Sequence, residues 1–145
     1  MTTVKDLLVD KGSQVWYITP NAPLLDALKI MAEKKIGALV VIEAGRIVGI
    51  FSERDFARQV VEDPRLSVQK PVRELMTQPV YYVSPDQSAD ECMALMTSKH
   101  FRHLPVMENE QLIGLISIGD VIKHLIMEKE QEIKSLEDYI WVNMI

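Results

Sequence analysis

The chain contains itself twice, and no other feature restricts its fold as much. Displaced by 65 residues, Val15–Asp55 lies over Val80–Asp120 without a gap, and eleven of the forty-one positions are identical. The identities are Val15/Val80, Tyr17/Tyr82, Pro20/Pro85, Met31/Met96, Lys34/Lys99, Leu39/Leu104, Val41/Val106, Glu43/Glu108, Gly49/Gly114, Ser52/Ser117 and Asp55/Asp120. Many of the remaining pairs keep their character, as in Thr19/Ser84, Asp26/Glu91 and Ile47/Leu112. A preamble repeats as well. Val4-Lys5-Asp6-Leu7-Leu8 matches Val72-Arg73-Glu74-Leu75-Met76 at a spacing of 68, which places three extra residues in an expected loop over Asp10–Gln14. A fixed period on this scale is the mark of a duplicated supersecondary unit, and it takes precedence over any local reading.

Each copy has the same internal order. A short β-rich run (Val15–Ile18, Val80–Val83) stops at Thr19-Pro20 or Ser84-Pro85, where proline fixes φ and the hydroxyl residue can open a turn. A helix follows, with apolar residues at Leu24, Leu25, Leu28, Met31 and Ala32, and in the second copy at Ala89, Cys92, Met93 and Met96. That spacing defines one buried face. An apolar run comes next (Ala38–Ile42, Leu104–Met107), then a turn at Glu43–Arg46 or Glu108–Gln111, then a third strand (Ile47–Phe51, Leu112–Ile116). Ser52-Glu53-Arg54-Asp55 and Ser117-Ile118-Gly119-Asp120 open a second helix, and Ser with Asp is a natural N-terminal pair. The predicted unit is β-α-β-β-α.

Composition narrows the function classes. Sixteen Lys plus Arg against twenty-one Asp plus Glu leave a net charge of −5, which argues against the basic footprint that general nucleic-acid binding needs. One cysteine, Cys92, cannot close an internal disulfide, and no Cys/His zinc set is visible, so a reducing cytoplasmic setting is expected. No apolar run approaches the ~18 residues of a membrane span.

The motifs Thr19-Pro20, Gly37-Ala38-Leu39-Val40-Val41, Val48–Asp55, Arg102-His103-Leu104-Pro105-Val106 and Ile113–Val121, in this order and duplicated, resemble a tandem pair of CBS domains, the arrangement called a Bateman module. The resemblance covers about residues 4–123. It implies an α+β fold of two units packed through their sheets with pseudo-twofold symmetry. The division expected is 1–66 for the first unit with its preamble, 67–124 for the second, and 125–145 for a C-terminal amphipathic helix. It also implies adenine-nucleotide binding in clefts between the paired sheets, with AMP or NAD favoured over ATP or S-adenosylmethionine.

By the same resemblance, Asp55 and Asp120 accept hydrogen bonds from ribose hydroxyls, while Ser52 and Ser117 approach phosphate. Thr19 and Ser84 contact adenine or phosphate, and Ile18 and Val83 line the adenine slot. The implied groupings cross the repeats. One combines Ser52, Arg54 and Asp55 with Val83, Ser84, Arg102 and His103, and the other combines Ser117 and Asp120 with Ile18, Thr19, Gly37 and Ala38. The first holds the basic residues, so it is expected to bind phosphate more strongly, because an Arg fork matches a phosphate. The plain alternative is that the two Asp residues only stabilise helix N-termini.

Other candidates are weaker. His100 and His103 lie three apart, but Leu104-Pro105 follow and no third ligand is evident, so no metal site is expected. Cys92 sits on the buried helix face and reads as a small core residue. In the tail, Ile126, Ile133, Leu136, Ile140 and Met144, with Tyr139 and Trp141 alongside, form a stripe at three- to four-residue spacing. It can pack on its own module or across a homodimer, and the dimerising habit that the resemblance implies favours the second. No nucleophile, paired carboxylate or metal constellation is visible, so no enzyme is expected. The reading is a regulatory nucleotide sensor acting on an unknown partner protein, without nucleic acid or membrane. The alternative is an interaction and dimerisation module whose clefts are empty or take another anion.

Overall fold

A computed structural model describes residues 1–12 and 14–143. Helix α1 (Val4–Lys11) is followed by strand β1 (Tyr17–Ile18), helix α2 (Leu24–Lys34), strands β2 (Ala38–Glu43) and β3 (Arg46–Ser52) and helix α3 (Glu53–Glu62). After a 3-10 turn at Val72–Glu74 come helix α4 (Ala89–Lys99), strands β4 (His103–Glu108) and β5 (Gln111–Ser117) and helix α5 (Ile118–Asn143). The class is α+β. In the first copy β1 pairs parallel to β2, and β2 pairs antiparallel to β3. The second copy repeats the antiparallel hairpin as β4-β5, with equivalent residues in register: Ala38 faces Ser52 as His103 faces Ser117.

Two expectations need correction. The run Val80–Val83 is not a strand; it contributes one parallel bridge, Val83 to Val106. Pro105 in β4 stands where β2 has Val40 and has no amide to donate back, which shortens the ladder to that bridge. The Asp10–Gln14 loop is also partly helical, because α1 continues through Asp10 and Lys11 to a C-cap at Gly12, whose φ is +92°. A capping box starts this helix: the Asp6 amide donates to the Thr3 hydroxyl, and the Thr3 amide donates to the Asp6 carboxylate.

The chain divides into two compact units, Val15–Tyr81 and Met1–Gln14 with Tyr82 onward. Each unit therefore holds the body of one repeat and the preamble of the other. In the first-repeat unit the Val72 amide donates to the Ala22 carbonyl at 2.9 Å, Arg73 to Pro20 at 2.9 Å, and Leu24 to Lys70 at 2.8 Å. In the second-repeat unit the same bonds recur, Val4 to Gln87 at 2.8 Å, Lys5 to Pro85 at 2.8 Å, and Ala89 to Thr2 at 2.8 Å. Every partner shifts by 65 or 68, so the two packings are copies of one another.

Each unit has its own core. Ile18, Leu24, Ala27, Met31, Leu39, Val41, Phe51 and Val72 fill the first, while Val4, Leu7, Val83, Ala89, Cys92, Met96, Leu104, Val106, Ile116 and Val121 fill the second. The apolar face expected for α2 is buried at Leu24 and Met31, with Ala27 joining it, but Ala32 is exposed. The hairpin turns have positive φ at both central positions: Ala44 (51°) and Gly45 (77°), Asn109 (51°) and Glu110 (64°). Such turns match the right-handed twist of the strands they join.

Candidate functional site

In each unit the strand-to-helix junction gathers several of the residues singled out above. Ser52 is the N-cap of α3: its hydroxyl accepts from the Asp55 amide at 3.2 Å, and the Asp55 carboxylate takes the Ser52 amide at 2.9 Å. The Ser52 hydroxyl also lies 3.0 Å from the same carboxylate oxygen. In the second-repeat unit the Ser117 amide donates to Asp120 at 2.7 Å, and the Asp120 amide donates to the Ser117 hydroxyl at 3.1 Å. The capping function anticipated from the sequence is thus physically present in both copies. It also fixes each carboxylate, half-buried, at the end of a strand.

The loop before the hairpin closes over each helix start. The Glu53 amide donates to the Gly37 carbonyl at 3.0 Å, and the Ile118 amide donates to the Arg102 carbonyl at 2.8 Å. Within the first-repeat unit, Gly37 and buried Ala38 therefore flank Ser52 and Asp55, while Arg54 is exposed. Within the second-repeat unit, Arg102 and His103 flank Ser117 and Asp120. The basic pair is thus adjacent to the junction of its own repeat.

The first-strand residues are placed alike. Ile18 and Val83 are buried, the latter tied by its amide to the Pro105 carbonyl at 3.0 Å. Thr19 and Ser84 each open a turn, accepting at their carbonyls from Ala22 and Gln87 at 3.2 Å. The Ser84 amide is taken by the Gln87 side chain at 2.8 Å, whereas Thr19 is exposed.

The two carboxylates differ in what else they hold. The other oxygen of Asp55 accepts from the Thr77 hydroxyl at 3.1 Å, a neutral donor from the turn after Val72–Glu74. Asp120 instead meets Lys11 at the end of α1, Nζ to Oδ2 at 2.5 Å. Burial alone would raise the Asp120 pKa, but the Lys11 and Ser117 hydrogen bonds outweigh it and hold the carboxyl below its ordinary value. The Thr77 and Lys11 contacts were not read from the sequence. They join residues 22 and 109 positions apart, and nothing in local pattern signals such a pairing.

His100 is the left-handed C-cap of α4, with φ of 60°, matching Lys35 (56°) at the end of α2. That conformation accounts for its place. Among the described residues no cluster of three His, Cys, Asp or Glu side chains is arranged to hold a metal. Cys92 is fully buried, and burial, with the charge of Glu91 adding, pushes its thiol up to about 11. Among the described residues no helix is long and apolar enough to cross a membrane.

The CBS-domain family model matches residues 4–62 and 72–127, one match for each repeat. The chain belongs to the CBS-domain family. It is 34% identical over 149 residues to a mitochondrial CBS domain-containing protein of Arabidopsis thaliana, CBSX3, covering 96% of this chain and 72% of that one. A solved chain with CBS domains from Burkholderia ambifaria is 51% identical, with a TM-score of 0.82 over 87% of this chain and 95% of that chain. The structure of CBSX2 in complex with AMP is 26% identical, with a TM-score of 0.69 over 89% of this chain and 99% of that chain. Proteins built from CBS pairs are regulatory and binding modules.

Proposed function

We propose that this CBS pair is a non-catalytic sensor of adenine nucleotides, AMP or an NAD-type ligand, that modulates a partner protein. The observation that carries this reading is the duplicated Ser-x-x-Asp junction, in which a half-buried carboxylate is held at a helix start beside backbone amides. A carboxylate offers about four acceptor sites and so can serve a pair of vicinal hydroxyls, while a helix N-terminus favours a phosphate. On this reading the buried Ile18 and Val83 are the apolar walls for the base, and Arg102 and His103 the donors for the phosphate. Support also comes from the AMP bound in the CBSX2 structure. The unpaired, buried Cys92 is consistent with work in a reducing compartment such as the cytoplasm.

The test is isothermal titration of the whole chain with AMP, ATP, NAD and S-adenosylmethionine, repeated on Asp55→Asn and Asp120→Asn. Asparagine keeps an oxygen for the cap but replaces one acceptor with a donor. Loss of a binding step in either variant supports the reading, whereas wild-type affinity in both would refute it. A second reading, a module for interaction and dimerisation only, is favoured by the same caps, since capping alone gives both carboxylates a structural role. Thermal stability indifferent to all four ligands would select it.

We infer further that α5 mediates a homodimer. Ile126 (53% exposed), Ile133 (55%), Leu136 (64%) and Ile140 (54%) form its outward stripe, while α5 also packs on α1, α4 and β5 of its own unit. Met144 and the Trp141 side chain, which belong to the same expected stripe, lie outside the described residues. Sedimentation of Leu136→Glu should then show a shift towards monomer.

A further inference from the structure

The two junctions are copies, yet only one carboxylate is engaged by a cation from outside its own repeat. Lys11 reaches Asp120 because α1 runs five residues further than the equivalent turn at Val72–Glu74, and its last turn lies against the start of α5. A neighbouring contact holds the same end: Asp10 meets His124 of α5 at 3.0 Å. In the first-repeat unit, the corresponding place beside Asp55 is taken by the Thr77 hydroxyl, which can rotate away at little cost.

We propose that Lys11 is a built-in competitor for the ribose position at Asp120, so that nucleotide entry there must free the C-terminal end of α1. This rests on the ribose reading of Asp120 given above. What sets Asp120 apart is the charge of its partner rather than the number of its bonds, since Asp55 accepts from the Ser52 amide and hydroxyl and from Thr77. Oδ2 of Asp120 already takes the Ser117 amide and the Lys11 ammonium, and a vicinal diol engaging the carboxylate meets an occupied oxygen. At Asp55 the partners are uncharged, so displacement costs less there. Both side chains of the Lys11–Asp120 pair are about one-third exposed, at 36% and 27%, so the competition is modest rather than absolute. Two consequences follow: the Asp55 junction fills first, and filling of the Asp120 junction is read out as loosening of α1.

Adenosine is the right probe, because it has the ribose but no phosphate for a freed lysine to attract. In an Asp55→Asn chain, adenosine affinity is measured with Lys11 intact and with Lys11→Met. Lys11→Gln serves as a second variant that keeps a donor without the charge. Lys11→Met should tighten adenosine by roughly two- to fivefold, the scale of a part-exposed ion pair, with Lys11→Gln between. Adenosine should also speed amide exchange in the last turn of α1 when Lys11 is present, and leave it unchanged in Lys11→Met. Equal or weaker affinity in Lys11→Met overturns the proposal while leaving nucleotide binding at Asp120 standing. Adenosine binding that survives Asp120→Asn in the same background, or no binding in any of the chains, removes the ribose reading of Asp120 and the proposal with it.

Discussion

Gly114 lies beneath the side chain of Leu8, and the consequence of filling that space can be worked out from the geometry. A Cβ built on Gly114 would lie 2.5 Å from Leu8 Cδ2, 3.2 Å from Cδ1 and 3.4 Å from Cγ. Ordinary carbon contacts are ~3.5–4.0 Å, so the leucine must retreat by about 1 Å or the strand must bend. Leu8 belongs to α1, whose neighbour Leu7 is fully buried and cannot follow freely. Overpacking of this kind costs ~1–3 kcal/mol. Gly114→Ala should therefore lower the urea midpoint, and Gly49→Ala should lower it too. At Gly49 the obstacle is Met76, with Sδ at 2.6 Å, Cγ at 2.8 Å and Cβ at 3.2 Å, so the stem of that side chain must shift as well as its end. The decisive measurement is a double-mutant cycle in urea denaturation. Leu8→Ala removes the clashing methyls, so Leu8→Ala/Gly114→Ala should be more stable than the sum of the single changes by about 1 kcal/mol or more. Strict additivity would show that the cost of Gly114→Ala arises elsewhere and would refute the contact argument.

Acid should also find the Lys11–Asp120 contact. The Asp120 carboxyl is held below its ordinary value of 3.8, so it contributes stability above that pH, and the contribution is lost as pH falls through the lower folded value. Asp6, lowered by the Thr3 amide and hydroxyl, acts with the same sign. Urea midpoints followed from about pH 5 downward should fall, and less steeply in Lys11→Met; an unchanged slope would contradict the assignment. Cys92, with its thiol near 11 and no exposed surface, should resist iodoacetamide at about pH 8 in the folded chain and react on unfolding. Rapid labelling of the native protein, followed by mass spectrometry, would count against a closed core.

Much of this architecture was legible because it is written twice. Helix and hairpin positions follow from apolar periodicity, and the junctions at Ser52 and Ser117 follow from cap chemistry. The preambles show the limit. Their repetition is visible in the sequence, but not that Val4 bonds to Gln87 while Val72 bonds to Ala22, since pairing across the chain is decided by backbone closure rather than by pattern. Lys11 illustrates the same limit at the candidate site. As a lysine in an expected loop it carried no signal, and it acquired a partner only because the Thr3 capping box and the Gly12 C-cap extend the helix to reach Asp120. Val80–Val83 failed as a strand for a different reason, because Pro105 of β4 stands where β2 has Val40 and has no amide to donate back.

The exchange of preambles also sets a timetable for synthesis. The unit Val15–Tyr81 is one unbroken stretch and can close as soon as it has left the ribosome, whereas the other unit is split by it. Helix α1 emerges ahead of that unit and finds its partners only after it: Asp120 is 109 residues behind Lys11, which at ~5–20 residues per second is roughly 5–20 s of waiting. The insertion also shortens the search, because a folded unit stands in place of a long flexible tether between Gln14 and Tyr82. A cut after residue 66 would strand Pro71–Thr77 away from the body it completes, so fragments of this protein divide cleanly at 15 and 81 rather than midway between the repeats.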